Sequence, residues 1–397
     1  MTVRVGRTVL SAALWRLHAR DLGDGEDWML RFTNWRIQYG VPRTVYVGSS
    51  DQRLRLDLDL PVHQELLRAE LRRHGTAVLH EAPEESSYGW VGRAHEVTML
   101  FASDQQSAPA PLRHATVLAN RNSHRIPGAS EWAYAKLYGS AARAPEVLTA
   151  HLPRLLRHGG TAPTEAWFVR YADPDPHLRL RLRQPGPEAF GATAQTVAAW
   201  AAELCAEGLV QRLQWDTDQP ETGRYGTGAA LAAAEAFFVA DSTAALAQMS
   251  LTISADLQSA VTAASFVDIA AGFLGSWQAG NDWLLRHLLR GDGEPTPRQV
   301  QSLTVQLTDV GVRRSALSNL SGGEAVAEAW ELRQTALVDY RQALDAAGIA
   351  AGSVLPSLLH MHHNRVAGVD RDAEATCRRI ARAAAQSWSI RREGGAQ

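Results

Sequence analysis

One stretch limits what this chain can fold into more than any other: Trp167-Phe-Val-Arg-Tyr-Ala-Asp-Pro-Asp-Pro-His-Leu-Arg-Leu-Arg-Leu-Arg183. Trp167 to Tyr171 is apolar and β-prone, and Leu178 to Arg183 alternates strictly between Leu and Arg. Between them Asp173-Pro174-Asp175-Pro176 signals a turn, because the prolines fix φ and the aspartates cap the bend. A period of two places Leu178, Leu180 and Leu182 on one strand face and Arg179, Arg181 and Arg183 on the other. Three guanidiniums in a row repel one another unless solvent, acidic side chains or an anionic ligand compensates. A solvated outer face of an edge strand is the plain account. A sheet that binds carboxylate or phosphate is the sharper one, since the arginine fork matches such groups in bidentate geometry.

Composition narrows the chemistry. With 397 residues the chain is expected to form two domains, or one large domain with an appendage. Its net charge of −2 gives no global field toward nucleic acid or an anionic membrane. Lys136 is the one lysine, so a Schiff-base or pyridoxal mechanism would have to use it, and no glycine-rich phosphate loop ends in Gly-Lys. Cys205 and Cys377 are far apart and show no Cys-x-x-Cys spacing, which points to neither a zinc site nor a disulfide framework. No cofactor and no metal are expected. No apolar run is read as long enough to span a membrane, and the N-terminus lacks a secretory pattern, so a cytoplasmic protein is expected.

Read in order, Val9 to Arg20 suggests a short helix. Met29 to Arg36, Thr44 to Val47, Leu54 to Leu60, Ala77 to Glu81 and Arg93 to Phe101 suggest strands. His63 to His74 reads as an amphipathic helix with Leu66, Leu67 and Leu71 inward. Residues 1–105 thus form a small, mostly β module. Residues 106–124 are polar and proline-bearing, as a linker is. Residues 125–397 open with strands at Trp132 to Tyr138, Trp167 to Tyr171, Leu178 to Arg183 and Val210 to Asp216, with helices at Ala144 to His158 and Pro187 to Gly208. A helical half then runs to Arg391. The fold class is α+β: the β-rich module, then a mixed sheet plus a helical half.

Two further stretches carry groups suited to chemistry. Asp216-Thr-Asp-Gln-Pro-Glu-Thr-Gly-Arg-Tyr-Gly-Thr-Gly228 lies between a strand and a helix, where a loop presents Glu221, Arg224 and Tyr225 to a cleft, or simply to solvent as an ion pair. Leu358-Leu-His-Met-His-His-Asn-Arg-Val366 is unusually polar for a buried helix; His360, His363 and Asn364 share a face and His362 points elsewhere. The paired-histidine metal motif spaces its ligands four apart, and here those positions are His360 and Asn364. An imidazole acting as general acid or base fits better.

Taken together, three motifs resemble the lantibiotic dehydratase C-terminal domain, also called the thiopeptide-type bacteriocin biosynthesis domain. They are Arg170-Tyr171-x-Asp173-Pro174-x-x-His177-x-Arg179-x-Arg181, Pro220-Glu221-x-x-Arg224-Tyr225-Gly226 and His360-Met361-x-x-Asn364-Arg365. The resemblance covers about 125 to 392. Val41-Pro42-Arg43, Asp57-Leu58-Asp59 and His95-Glu96 are similar, more weakly, to the tail of the same enzymes' N-terminal region. In that family Ser or Thr of a precursor peptide is glutamylated from glutamyl-tRNA, and glutamate is then eliminated to leave dehydroalanine or dehydrobutyrine. The resemblance implies the elimination half alone, working on a ribosomally made precursor peptide (leader plus core) beside a separate tRNA-dependent glutamylating enzyme. It implies no direct nucleic-acid contact and no membrane, and a homodimer stays open. It also implies that Arg179 and Arg181 hold the glutamyl carboxylates and that Arg224 stands at the reacting centre. Glu221 would orient an arginine or move a proton, and His360 would be the acid or base, with His362 and His363 as alternatives. Two other readings remain: an aza-[4+2] cyclase that builds the thiopeptide pyridine ring, and a non-catalytic partner that binds the precursor peptide.

Overall fold

The computed structural model describes residues 3–5, 8–49, 52–83, 86, 88–93, 124–157, 163–289 and 296–394. The chain divides into two compact units, Met1–Arg113 and His114–Gln397. The linker expected at 106–124 lies, but for His124, outside the described residues, as does nearly all of the strand expected from Arg93 to Phe101.

The first unit pairs β1 (Val3–Val5) with β2 (Thr8–Ser11) and builds a separate antiparallel sheet from β3 (Leu14–His18), β4 (Thr44–Ser49), β5 (Gln52–Asp57) and β6 (Thr76–Glu81). The strand order of that sheet is β3-β6-β4-β5. Three helices accompany the strands: α1 (Ala19–Leu22), α2 (Trp28–Tyr39) and α3 (Pro61–His74). Val9 to Arg20 is therefore mostly strand rather than helix. Conversely Met29 to Arg36 is helix rather than strand. Trp28, Phe32 and Trp35 recur at helical spacing, are buried, and stack with centroids 5.0 and 6.3 Å apart. That one-sided aromatic stripe outweighs the β propensity of its residues. Leu67 and Leu71 of α3 face the core as expected, whereas Leu66 is exposed. Arg43 grips Asp57 across the β4–β5 hairpin at 2.7 Å, and Arg36 reaches Asp59 at 3.0 Å. The Arg43 hydrogen bond holds the Asp57 carboxyl at about 2.

The second unit begins with β7 (Trp132–Tyr138) and α4 (Ala144–Glu146), which continues through a π turn (Val147–His151) into α5 (Leu152–Arg157). Then come β8 (Glu165–Tyr171), β9 (His177–Arg183), α6 (Phe190–Ala206) and β10 (Arg212–Trp215). The sheet order is β10-β7-β9-β8, antiparallel throughout. With its intervening helices this is a split βαβ arrangement. Leucines 178, 180 and 182 pack with Leu148, Leu152, Val197 and Trp200 beneath one sheet face, as the Leu–Arg alternation requires.

Helices fill the rest: α7 (Thr222–Tyr225), α8 (Ala229–Met249), α9 (Ala255–Leu274), α10 (Trp277–His287), α11 (Arg298–Leu307), α12 (Arg313–Ser318), α13 (Gly323–Ala346), α14 (Ala351–Ala367) and α15 (Arg371–Gly394). Between 298 and 318 the chain forms two separate helices, α11 and α12. Helix α10 packs so closely on α9 that a Cβ on Gly280 would lie 2.6 Å from the Ala271 nitrogen. By length and composition α8 and α9 are apolar enough to cross a membrane, which corrects the expectation that no run has that length. Half of the α8 window and 72% of the α9 window are buried inside the unit, as in core helices of a large α+β domain.

Candidate active site

The sheet face opposite the leucines carries Trp132, Tyr134 and Lys136 of β7 beside Arg183, Arg181 and Arg179 of β9, in register. Trp167 of β8 stands opposite Arg181 on its other side. Arg181 is only 9% exposed. Its guanidinium lies between the Tyr134 and Trp167 rings, 4.1 and 4.3 Å from their centroids, and donates to Asp218 Oδ1 at 3.0 Å through Nη2. Asp218 is held in turn. Its backbone pairs with Arg125, whose side chain lies 3.5 Å from the Asp218 carboxylate and binds Glu235, and Glu235 accepts from Trp132 Nε1 at 3.1 Å. Burial raises the Glu235 carboxyl against the pull of Arg125. A charge sandwiched by two rings and fixed from behind is a preorganised cation rather than a solvated one.

Arg179 lies over Tyr171, 3.4 Å from the ring centroid, and its Nε donates to His177 Nε2 at 3.2 Å. His177 Nδ1 donates to the Asp175 carbonyl at 2.8 Å. One ring nitrogen donating and the other accepting defines a neutral imidazole, and burial lowers its pKa accordingly. Beside Arg179, Lys136 forms an ion pair with Asp216. The third arginine, Arg183, is exposed and paired to Glu131 and Glu165.

Glu221 and Arg224 form an ion pair at 3.0 Å across one helical turn, both about half exposed. Next to them Tyr225 is buried. Burial raises the Tyr225 pKa. The Tyr225 ring meets Phe238 edge-on at 4.9 Å, and Phe238 lies 5.0 Å from Trp167, which covers Arg181. A ladder of rings therefore joins the Arg224 loop to the arginine face.

Helix α14 divides its three histidines. His362 is fully buried and its Nδ1 donates to Asp241 Oδ1 at 2.8 Å. Asp241 also takes Arg333 and Arg365, each at 2.8 Å. Burial alone would raise the Asp241 carboxyl, yet these partners hold it well below its usual range. His363 is buried, which lowers its pKa. His360 is exposed, its side chain at 48%, and its Nδ1 sits 2.8 Å from Glu374 Oε2. Among the described residues no hydrogen bond or ion pair links His360 to Arg179, Arg181 or Arg224. Asn364 spans the outer edge of β8, accepting from the Arg170 amide at 2.8 Å and donating to the Arg170 carbonyl at 2.9 Å. Arg365 Nε donates to the Phe168 carbonyl at 3.2 Å, and Phe168 N–H donates to Ser242 at 3.3 Å. Among the described residues no group of three His, Cys, Asp or Glu side chains could hold a metal ion.

Sequence reasoning missed Tyr134 and Asp218 as the supports of Arg181, and Asp241 as the hub of α14. A signal existed for the hub: Asp241 is one of only two acids in the otherwise apolar run of α8. An acid buried in such a helix calls for a partner.

Comparison with known proteins identifies the family. Residues 132–385 match the model of the lantibiotic biosynthesis dehydratase C-terminal family. The chain belongs to that family. Residues 2–67 match the N-terminal model of lantibiotic dehydratases. Subtilin biosynthesis protein SpaB of Bacillus subtilis is 22% identical over 94% of this chain and 38% of its own length. Nisin biosynthesis protein NisB of Lactococcus lactis subsp. lactis is 26% identical over 59% of this chain and 24% of its own. The crystal structure of the tRNA dependent lantibiotic dehydratase MibB from Microbispora superposes with a TM-score of 0.58 and 25% identity, covering 98% of this chain and 41% of that one. The chain spans less than half the length of these dehydratase relatives. For this family member the pattern Arg179, Arg181, Glu221, Arg224 and His360 thus falls in two places. One is the ring-linked arginine region, and the other is the His360–Glu374 pair on α14 and α15.

Proposed function

We propose that this lantibiotic dehydratase family member carries out the glutamate-elimination step of peptide dehydration, acting on Ser or Thr already glutamylated by a separate enzyme. A base removes the Cα proton, its electron pair forms the Cα–Cβ double bond, and the Cβ–O ester bond breaks to release glutamate as a carboxylate. Negative charge develops at the enolate and on the leaving group, so fixed cations are the groups this chemistry rewards. The observation that carries the reading is Arg181, clamped between Tyr134 and Trp167 and braced by Asp218. Arg179 and Arg181 take the glutamyl carboxylates, and Arg224, oriented by Glu221, faces the reacting centre. His360 moves the proton, with Glu374 orienting the imidazole in the manner of a base and its carboxylate.

The test uses precursor peptide glutamylated beforehand. Incubation with the full chain should release glutamate and leave a dehydrated peptide, seen by mass spectrometry without added tRNA. A glutamylated peptide that persists unchanged would overturn the proposal.

A further inference from the structure

Arg170 opens the motif that holds Arg179 and Arg181, but the elimination reading gives it no role. It is 9% exposed and sits in β8 on the leucine face, away from Arg179 and Arg181. Among the described residues no carboxylate lies within ion-pair distance of its guanidinium. Its Nε is buried without a hydrogen-bond partner, and Nη2 abuts only the Met249 sulfur. Burial lowers its pKa to about 10, so it keeps its charge at neutral pH. Buried charges are otherwise paired in folded proteins, and an unpaired one calls for a reason.

The reason lies beside it. A cavity of about 250 Å³ opens at this end of the sheet, lined by Arg170 together with Leu137, Val147, Leu178, Leu209 and Gly368. That is below the size of a site for a large ligand and suits one small group. Gly368, beside the Arg170 guanidinium on the lining, has φ +86°, a backbone conformation that favours glycine. The polar groups nearby do not meet the charge. Asp370, also on the lining, turns one carboxylate oxygen to the amides of Asp372 and Ala373 and forms no ion pair with Arg170, and His177 is neutral.

We infer that this cavity binds a carboxylate carried on a small apolar body, with Arg170 as its counter-ion. Its lining is mixed with more apolar than polar surface, and Arg170 is its buried cation without an ion pair, which together select a monoanion with a hydrocarbon part. The site is separate from the arginine face and does not depend on the elimination reading. Two sources share this chemistry: the C-terminal residue of a peptide, and a free aliphatic acid.

Titration calorimetry on the full chain separates them with three probes: N-acetyl-leucine, 4-methylpentanoate and the neutral N-acetyl-leucinamide. Both carboxylates should bind at least tenfold more tightly than the amide. The tighter of the two names the source, peptide end or free acid. Arg170→Gln should abolish the preference for carboxylate over amide. Should that variant fail to fold, Ala144→Leu places bulk on the cavity wall and leaves the guanidinium intact. It should weaken both carboxylates at least tenfold. Equal binding of acid and amide, no binding of any probe, or carboxylate binding that survives Ala144→Leu would overturn the inference.

Discussion

Arg181 shows how much of the site a sequence can announce. The strict alternation of Leu and Arg assigns its face, and the loop containing Asp218 was already marked for its polar residues. What the sequence does not announce is that Tyr134, forty-odd positions upstream, becomes one wall of the clamp, because strand register depends on pairing that no local pattern encodes. A clamp makes a specific demand. Arg181→Lys keeps the charge but loses the planar group that stacks between two rings and binds Asp218, so elimination should fall by about 10²–10³ in kcat. A single-turnover assay on glutamylated peptide measures it, and an unchanged rate would mean that a field alone suffices. For His360→Ala the expected loss is about 10²–10⁴ with little change in peptide affinity. Asp241 predicts an effect on stability instead. Asp241→Asn strands the buried Arg365 guanidinium and leaves Arg333 with Asp268 alone, and should cost about 3–5 kcal/mol in denaturant unfolding. Because its folded pKa lies below the ordinary 3.8, the contribution is whole above that pH and drains away as the pH falls further. The wild-type advantage over Asp241→Asn should therefore shrink on the acid side and nowhere else.

Elements were legible where one period dominates. The long helices of the second unit and the four strands of its sheet follow from periodicity, whereas the first unit holds the two reversals. In α2 the aromatic residues look strand-prone one by one, and only their spacing over Trp28, Phe32 and Trp35 gives the helix away. Between Val9 and Arg20 the alternation is too short to outvote the helical residues around it. The joint between helix and sheet was invisible, since it consists of side chains reaching main chain: Asn364, Arg365 and Ser242 on the outer side of β8. Removing the amide in Asn364→Ala leaves two buried backbone groups without partners, a loss of about 1–3 kcal/mol per group at most. Hydrogen exchange at the Arg170 amide should speed up in that variant before exchange elsewhere in the sheet does. Protection that stays level across the sheet would count against the joint.

At the scale of the molecule, the fold class was readable from the succession of elements, and the family from three motifs in order. A fragment of residues 114–397 should unfold cooperatively by itself, since its core clusters are built without residues of the first unit. If glutamylated peptide is eliminated by that fragment with unchanged KM, the first unit has no part in holding the substrate. The side chains along β8 have a last consequence, for solubility. An antiparallel sheet that ends in an open strand can template the same strand of another molecule. Here that template is closed by three groups that each lie one substitution from disappearing, not by a further strand. Variants at Asn364 or Arg365 should accordingly be lost to self-association as concentration rises, with soluble yield failing before the melting temperature does.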